Sequence, residues 1–241
     1  MDIIKKIALR NEDNHAHKIP KIVAFGDSNT QGCFEVYETE TEGVSVVYDM
    51  KNAYHAHLSR LLNELFPKAA VTVVNAGISG DSSEGGLRRL HRDVLSEKAD
   101  LVIVSFGSND CVVHGADYVD TYAENMRRIF LAIKESGSEA ILLTPPRGCT
   151  SVSDHVEGEN LQKIAADVAA VENGGVKALY VARAKAVAEE CGAAVCDLHE
   201  RWLQMASLGV DTDALLSNHI NHPTRELTHM TARMLLDTML G

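Results

Sequence analysis

Ile22-Val23-Ala24-Phe25-Gly26-Asp27-Ser28-Asn29-Thr30 is the stretch on which the reading of this chain turns. Four consecutive apolar residues suit a short strand buried on both faces. Gly26 and Asp27 are turn formers, so the strand ends there in a tight turn. Ser28 then stands on the carboxyl edge of a sheet, where open α/β folds place their ligands. Taken alone, the stretch also reads as a Ser/Asn loop without chemistry, and the rest of the chain has to decide.

Outward from it the same unit repeats. After Lys21–Phe25, apolar runs recur at Val71–Asn75, Leu101–Phe106, Ala140–Thr144 and Ala193–Cys196. Helical stripes separate them. One is Tyr54, Leu58, Leu61, Leu62 and Leu65, with Asn52 as its cap and Pro67 as its stop. A second starts near Asp81, with Glu84 at capping-box spacing, and runs through Leu87, Leu90 and Val94. A third carries Val119, Tyr122, Met126, Ile129, Phe130 and Ile133. Leu161–Val171 and Val176–Glu190 form two more, broken at Asn173-Gly174-Gly175, and a further helical stretch begins at Trp202. The last stripe is Leu227, Met230, Met234 and Leu235. Apolar strands alternating with helices predict a parallel five-stranded sheet covered on both faces, a three-layer α/β/α sandwich. No repeat or linker divides residues 1–241, so a single domain is expected.

Two segments stand outside the alternation. Residues 1–18, with Ile3, Ile4 and Ile7 on one side, read as an N-terminal helix or arm. Residues 33–50 alternate apolar and polar side chains around Glu38-Thr39-Glu40-Thr41-Glu42-Gly43. That pattern is a small hairpin with an acidic turn, next to the Ser28 loop and placed to wall it.

Composition narrows the function. With 241 residues, 45% of them hydrophobic, the chain can bury a full core without disulfide or metal. A net charge of −11 argues against nucleic acid or an anionic membrane as partner. Five cysteines without a CxxC read as reduced thiols. No signal peptide and no spanning run is seen, so a cytoplasmic location is expected. His15-x-His17 and His55-x-His57 sit at a spacing that diverges on a helix, and they read as solvated side chains rather than metal ligands. Asp27 and Asp81 read as shaping and capping their loops. Cys191, Cys196 and the C-terminal methionines read as core. Residues 77–86 lack a GxGxxG, and there is no P-loop, so a flavodoxin-like nucleotide or phosphate binder ranks well behind. No cofactor and no metal are implied. Oligomeric state leaves no trace in the sequence.

Four short blocks fall at strand ends or before the last helix: Gly26-Asp27-Ser28, Asn75-Ala76-Gly77-Ile78-Ser79-Gly80-Asp81, Gly107-Ser108-Asn109-Asp110 and Asn221-His222-Pro223. In a doubly wound sheet these loops open on one edge, so the blocks can meet. A serine needs a base to become a nucleophile, and His222 is the candidate. Acyl transfer also needs donors aimed at an oxyanion, which the Ser28 N–H, the Gly80 N–H and the Asn109 amide could supply.

These four blocks resemble the SGNH hydrolases, the GDSL-type esterases and lipases. Ser28 lies in Gly-Asp-Ser-Asn, where the family usually has Gly-Asp-Ser-Leu; Gly80, Asn109 and His222 match its remaining blocks. The resemblance spans residues 22 to 238. It implies a flavodoxin-like sandwich and a serine esterase with Ser28 as nucleophile, His222 as base, and Ser28, Gly80 and Asn109 as the oxyanion hole. The substrate would be a small-molecule ester, carbohydrate acetyl esters among the candidates. An acyltransferase would use the same residues with an alcohol in place of water.

One position departs. The family's last block usually reads Asp-x-x-His-Pro, and here His219 stands where the acid belongs. Three readings stay open: a backbone carbonyl of residues 217–220 orients His222 in a Ser–His dyad; Asp211 or Asp213 replaces the acid; or the chain is a degenerate fold that only binds. With 5% aromatic residues and an acidic insertion lacking an apolar lid face, short acyl groups are expected.

Overall fold

A computed structural model of the chain describes residues 1–39 and 43–241. In chain order the elements are α1 (Asp2–Glu12), β1 (Lys21–Gly26), α2 (Ser28–Gln31), β2 (Cys33–Thr39), β3 (Gly43–Tyr48), α3 (Tyr54–Leu65), β4 (Thr72–Gly77) and α4 (Ser83–Asp93). They continue with β5 (Leu101–Ser105), α5 (Ser108–His114), α6 (Val119–Glu135), β6 (Glu139–Leu143), α7 (Glu159–Asn173), α8 (Val176–Cys191), β7 (Ala194–Cys196), α9 (Leu198–Ser207) and α10 (Arg225–Leu240). The central sheet has the order β4-β1-β5-β6-β7, with all its pairs parallel. Renumbered within the sheet this is 2-1-3-4-5, the flavodoxin-like order.

The period of two along each strand divides the core into two layers. Ile22 and Ala24, Leu101 and Ile103, and Ile141 and Leu143 face the layer made with α1, α3, α7, α9 and α10. Val23 and Phe25, Val102 and Val104, and Leu142 face α4, α6 and α8. Both faces are covered, which is why these strands read as unbroken apolar runs. α1 is docked rather than loose. Ile3 and Ile7 are fully buried, and the Asp2 and Ile3 N–H groups donate to the Glu139 carboxylate, at the start of β6.

β2 and β3 pair antiparallel as the expected hairpin and form a separate two-stranded sheet. Residues 40–42 of its acidic turn lie outside the described residues. Helix starts differ from expectation by local hydrogen-bonding chemistry. α4 is capped by Ser82, whose Oγ accepts the Gly85 N–H, because Asp81 is engaged by Arg89. Asn52 does not cap α3; its amide donates to Asp49 within a turn of 3-10 helix at Met50–Asn52. α9 begins at Leu198, capped by Asp197, and buries Trp202 in its middle. His55 is not solvated: it is buried, and burial pushes its pKa down to about 4. Among the described residues no helix is long and apolar enough to cross a membrane.

Candidate active site

The site begins where β1 ends. The Asp27 carboxylate accepts the Asn29 N–H at 3.0 Å and caps the one-turn helix α2, which makes Ser28 its first residue. Burial pushes the Asp27 carboxyl up to about 7. One glycine permits a close approach of the loops and another a left-handed turn. A Cβ on Gly77 would lie 2.2 Å from the Gln31 backbone nitrogen, and Gly80 has φ +76°, which L side chains adopt rarely.

The second and third blocks are stapled to the first by buried polar groups. The Gln31 side chain accepts the Ser79 N–H at 2.6 Å, and the Asn75 amide donates to the Gln31 carbonyl. Arg89, 7% exposed, donates to the carbonyls of Gly26 and Ala76 at 2.8 and 2.7 Å and to Asp81 at 2.6 Å. It thereby ties the ends of β1 and β4 to the Gly80 loop. Asp110 accepts the Ser83 N–H and hydroxyl, joining the start of α5 to the start of α4. Asn109 donates one amide hydrogen to the Asp81 carbonyl at 2.7 Å, which leaves its second hydrogen for a ligand.

His222 reaches Ser28 from the other end of the chain. Its Nε2 lies 2.9 Å from Ser28 Oγ, and both residues are buried. Its Nδ1 lies 2.8 Å from the backbone carbonyl of Phe34, in β2. A carbonyl oxygen only accepts, so Nδ1 carries the hydrogen and Nε2 is left to accept from the Ser28 hydroxyl. Burial depresses the His222 pKa to about 4, against the opposing pull of the Phe34 bond and the Glu35 charge. The imidazole is therefore neutral at pH 7.

The orienting carbonyl thus comes from the hairpin, not from residues 217–220 as the first of the three open readings has it. That loop uses its polar groups on itself and on its neighbour. Asn218 Oδ1 accepts the N–H groups of Ile220, Asn221 and His222 at 3.0, 2.9 and 2.9 Å. The Ile220 carbonyl accepts the Cys149 N–H at 2.7 Å. Asp211 and Asp213 are not the replacement acid either. Asp211 accepts the N–H groups of Asp213 and Ala214, and Asp213 accepts the Thr150 N–H and hydroxyl. His219 sits at φ +54°, with its ring tilted against His155 at 5.0 Å. It lines a polar cavity of about 580 Å³ with Arg147, Ser151 and Asp213; Ser28 does not line it.

The structure therefore brings Ser28 and His222 into contact and joins the Gly80 and Asn109 blocks through Asp81. Sequence reasoning missed Arg89, Asn218 and the Phe34 carbonyl. Among the described residues no group of three or more His, Cys, Asp or Glu side chains is placed to hold a metal ion.

Known proteins resemble this chain in sequence and in fold. The model of the GDSL-like lipase/acylhydrolase family matches residues 24–229. An acetylxylan esterase from Geobacillus stearothermophilus is 29% identical over 133 residues, covering 52% of this chain and 59% of that protein. An arylesterase from Vibrio mimicus is 29% identical over 132 residues, covering 51% of this chain and 65% of its own length. The chain thus spans about three fifths of the length of these two relatives. The crystal structure of a lipase/acylhydrolase from Enterococcus faecalis superposes with a TM-score of 0.66 at 25% identity, over 91% of this chain and 95% of that one. The family match runs from within β1 to within α10 and takes in all four blocks, so the chain belongs to the GDSL-like lipase/acylhydrolase family.

Proposed function

We propose that this chain is a serine esterase that cleaves small acyl esters through an acyl-enzyme on Ser28. The observation that carries it is the buried 2.9 Å contact between Ser28 Oγ and His222 Nε2, in the tautomer that the Phe34 carbonyl imposes. Ser28 Oγ attacks the ester carbonyl carbon while its proton passes to His222 Nε2. The oxyanion forms against the Ser28 N–H, the Gly80 N–H and the free Asn109 amide hydrogen. Collapse breaks the ester C–O bond, and the proton on Nε2 leaves with the alcohol. Water then attacks the acyl-enzyme, gives its proton to His222, and the acid departs as Ser28 recovers the proton.

A carbonyl supplies a dipole to the imidazolium, not a full charge, so this dyad runs slower than a full triad but keeps the correct tautomer. In serine proteases with a Ser-His-Asp triad, a change of the acid that imposes the wrong tautomer costs ~10⁴ in kcat. A carbonyl that keeps the right tautomer costs far less. The degenerate, binding-only alternative has no such reason to hold a base on a serine. The esterases among the relatives support ester substrates. The low aromatic content and the acidic hairpin beside Ser28 offer a long acyl chain no broad apolar trough, so acetate esters should be preferred to dodecanoate. The test is hydrolysis of p-nitrophenyl acetate by the wild type and by Ser28→Ala. The variant should fold and lose turnover; full activity in it would end this reading.

A further inference from the structure

We infer that Arg225 and Glu35 are positioning residues, a clamp that holds the Phe34 carbonyl on His222 and so takes over the orienting task of the missing acid. This rests on the esterase reading above. Arg225 opens α10, three residues after His222. Its guanidinium donates to both Glu35 oxygens, at 2.6 and 3.1 Å, and to Asp49 at 2.8 Å. It also lies 4.3 Å over the Phe34 ring.

The hairpin explains why a clamp is needed. Among the described residues β2 and β3 pair only with each other, and a lone two-stranded ribbon is marginal in water. Yet β2 carries the one acceptor that sets the His222 tautomer. Arg225 grips both legs: β2 at Glu35, directly after Phe34, and the chain at Asp49, just after β3. Asp49 is itself tied back to the Ser28 loop, since its N–H donates to the Gly32 carbonyl at 2.8 Å. The buried Cys33 and Phe34 side chains anchor this end of the ribbon by packing, and Glu38 anchors the far end by accepting the Leu161 N–H at the start of α7; Arg225 adds the directional polar link beside the carbonyl. The Arg225 side chain therefore links the base, its orienting carbonyl and the loop of the nucleophile. The geometry is bidentate and planar, which only arginine presents.

The energetics separate positioning from mere stability. Arg225, Glu35 and Asp49 are 34%, 41% and 25% exposed at their side chains. Even a bidentate, networked pair at such exposure contributes only modestly to folding. Its loss should lower the melting temperature by a few degrees at most, while the Phe34 carbonyl shifts on His222. A displacement of about 1 Å at a catalytic group can cost on the order of 10² in rate.

The experiment compares wild type, Arg225→Met, Arg225→Lys and Glu35→Ala in the full chain. Two readouts are taken: kcat and KM for p-nitrophenyl acetate, and the downfield proton resonance of His222 Nδ1–H, assigned by its absence in His222→Ala. Arg225→Met should lower kcat by on the order of 10–10² with KM little changed, and its Nδ1–H resonance should broaden through exchange with water. Arg225→Lys keeps a cation between two carboxylates and should recover part of both. Glu35→Ala should fall between Met and wild type, and it carries the test if Arg225→Met does not fold. Wild-type kcat and an unshifted resonance in Arg225→Met, or in Glu35→Ala when that variant stands in, would overturn the clamp. So would a lost kcat with the resonance intact. If the wild type cleaves no ester, the esterase reading fails, and the resonance, which needs no turnover, still decides the clamp.

Discussion

Replacing Asn218 by Ala should uncouple His222 from Ser28 without touching either. Asn218 is 8% exposed, and its single carbonyl oxygen closes the turn that delivers His222. It accepts three backbone N–H groups, two of them, from Ile220 and His222, in buried bonds and the third, from Asn221, in a partly buried one. Alanine leaves all three donors without that acceptor. An orphaned buried donor costs ~1–3 kcal/mol, and water can replace the partner of the partly buried one. Two buried donors therefore set the loss at about 2–6 kcal/mol. The turn also holds His219 at φ +54°, a conformation that relaxes once its closure is lost. His222 then moves relative to Ser28, and kcat should fall by on the order of 10². Urea denaturation reads the first effect and initial rates on p-nitrophenyl acetate the second. Asn218→Asp keeps an acceptor for all three donors and should recover most of the stability, while its charge favours the imidazolium and raises the His222 pKa. A stability change below about 0.5 kcal/mol with wild-type kcat in Asn218→Ala would refute the assignment of this turn.

Three further outcomes are expected. His219→Ala should keep most activity, and His219→Asp, which restores the usual sequence pattern, should not raise it, because residue 219 lies against His155 and not against His222; a gain of about tenfold or more in kcat would show that an acid there reaches Nδ1. Asn109→Ala should lower kcat by on the order of 10²–10³ with a smaller effect on KM; a change confined to KM would make Asn109 a substrate-binding residue. The acid limb of kcat/KM should titrate one group near the depressed His222 value of about 4, since the proposed base is the neutral imidazole, which is lost only as pH falls through that value. Rates between about pH 3.5 and 8 in the wild type and in Asp27→Asn read this limb apart from the Asp27 carboxyl, which changes charge near 7; a limb near the ordinary histidine value of about 6.5 in both proteins would place His222 in a solvated setting.

The parts of this molecule that were legible in the sequence are those carried by residue type and period. Unbroken apolar runs announce strands buried on both faces, and the sheet order puts the four blocks on one edge. Ser28 and His222 stand out because each has chemistry that few residue types share. The Phe34 carbonyl does not, because a backbone oxygen has no residue-type signal and every residue of the hairpin offers the same atom. Arg89 lies in Arg88-Arg89-Leu90-His91-Arg92, which reads as a solvated helix face; only the convergence of the Gly26 and Ala76 carbonyls shows why one of those arginines is buried. His55 misleads for the same reason: its spacing to His57 suggests water, and the packing of α3 against the core gives burial. Asn218 carries a weak signal, a short polar residue at the entry to a turn, where Asn side chains commonly close the backbone.

The central claim is that Ser28 is the nucleophile and His222 its base, and covalent trapping tests it most directly. The protein is treated with a fluorophosphonate, which phosphonylates an activated serine with loss of fluoride, and the adduct is mapped by mass spectrometry of its peptides. One adduct on Ser28 is expected in the wild type, none in Ser28→Ala, and labelling slowed by several orders of magnitude in His222→Ala. An adduct on another residue, or equal labelling with and without His222, would contradict the account.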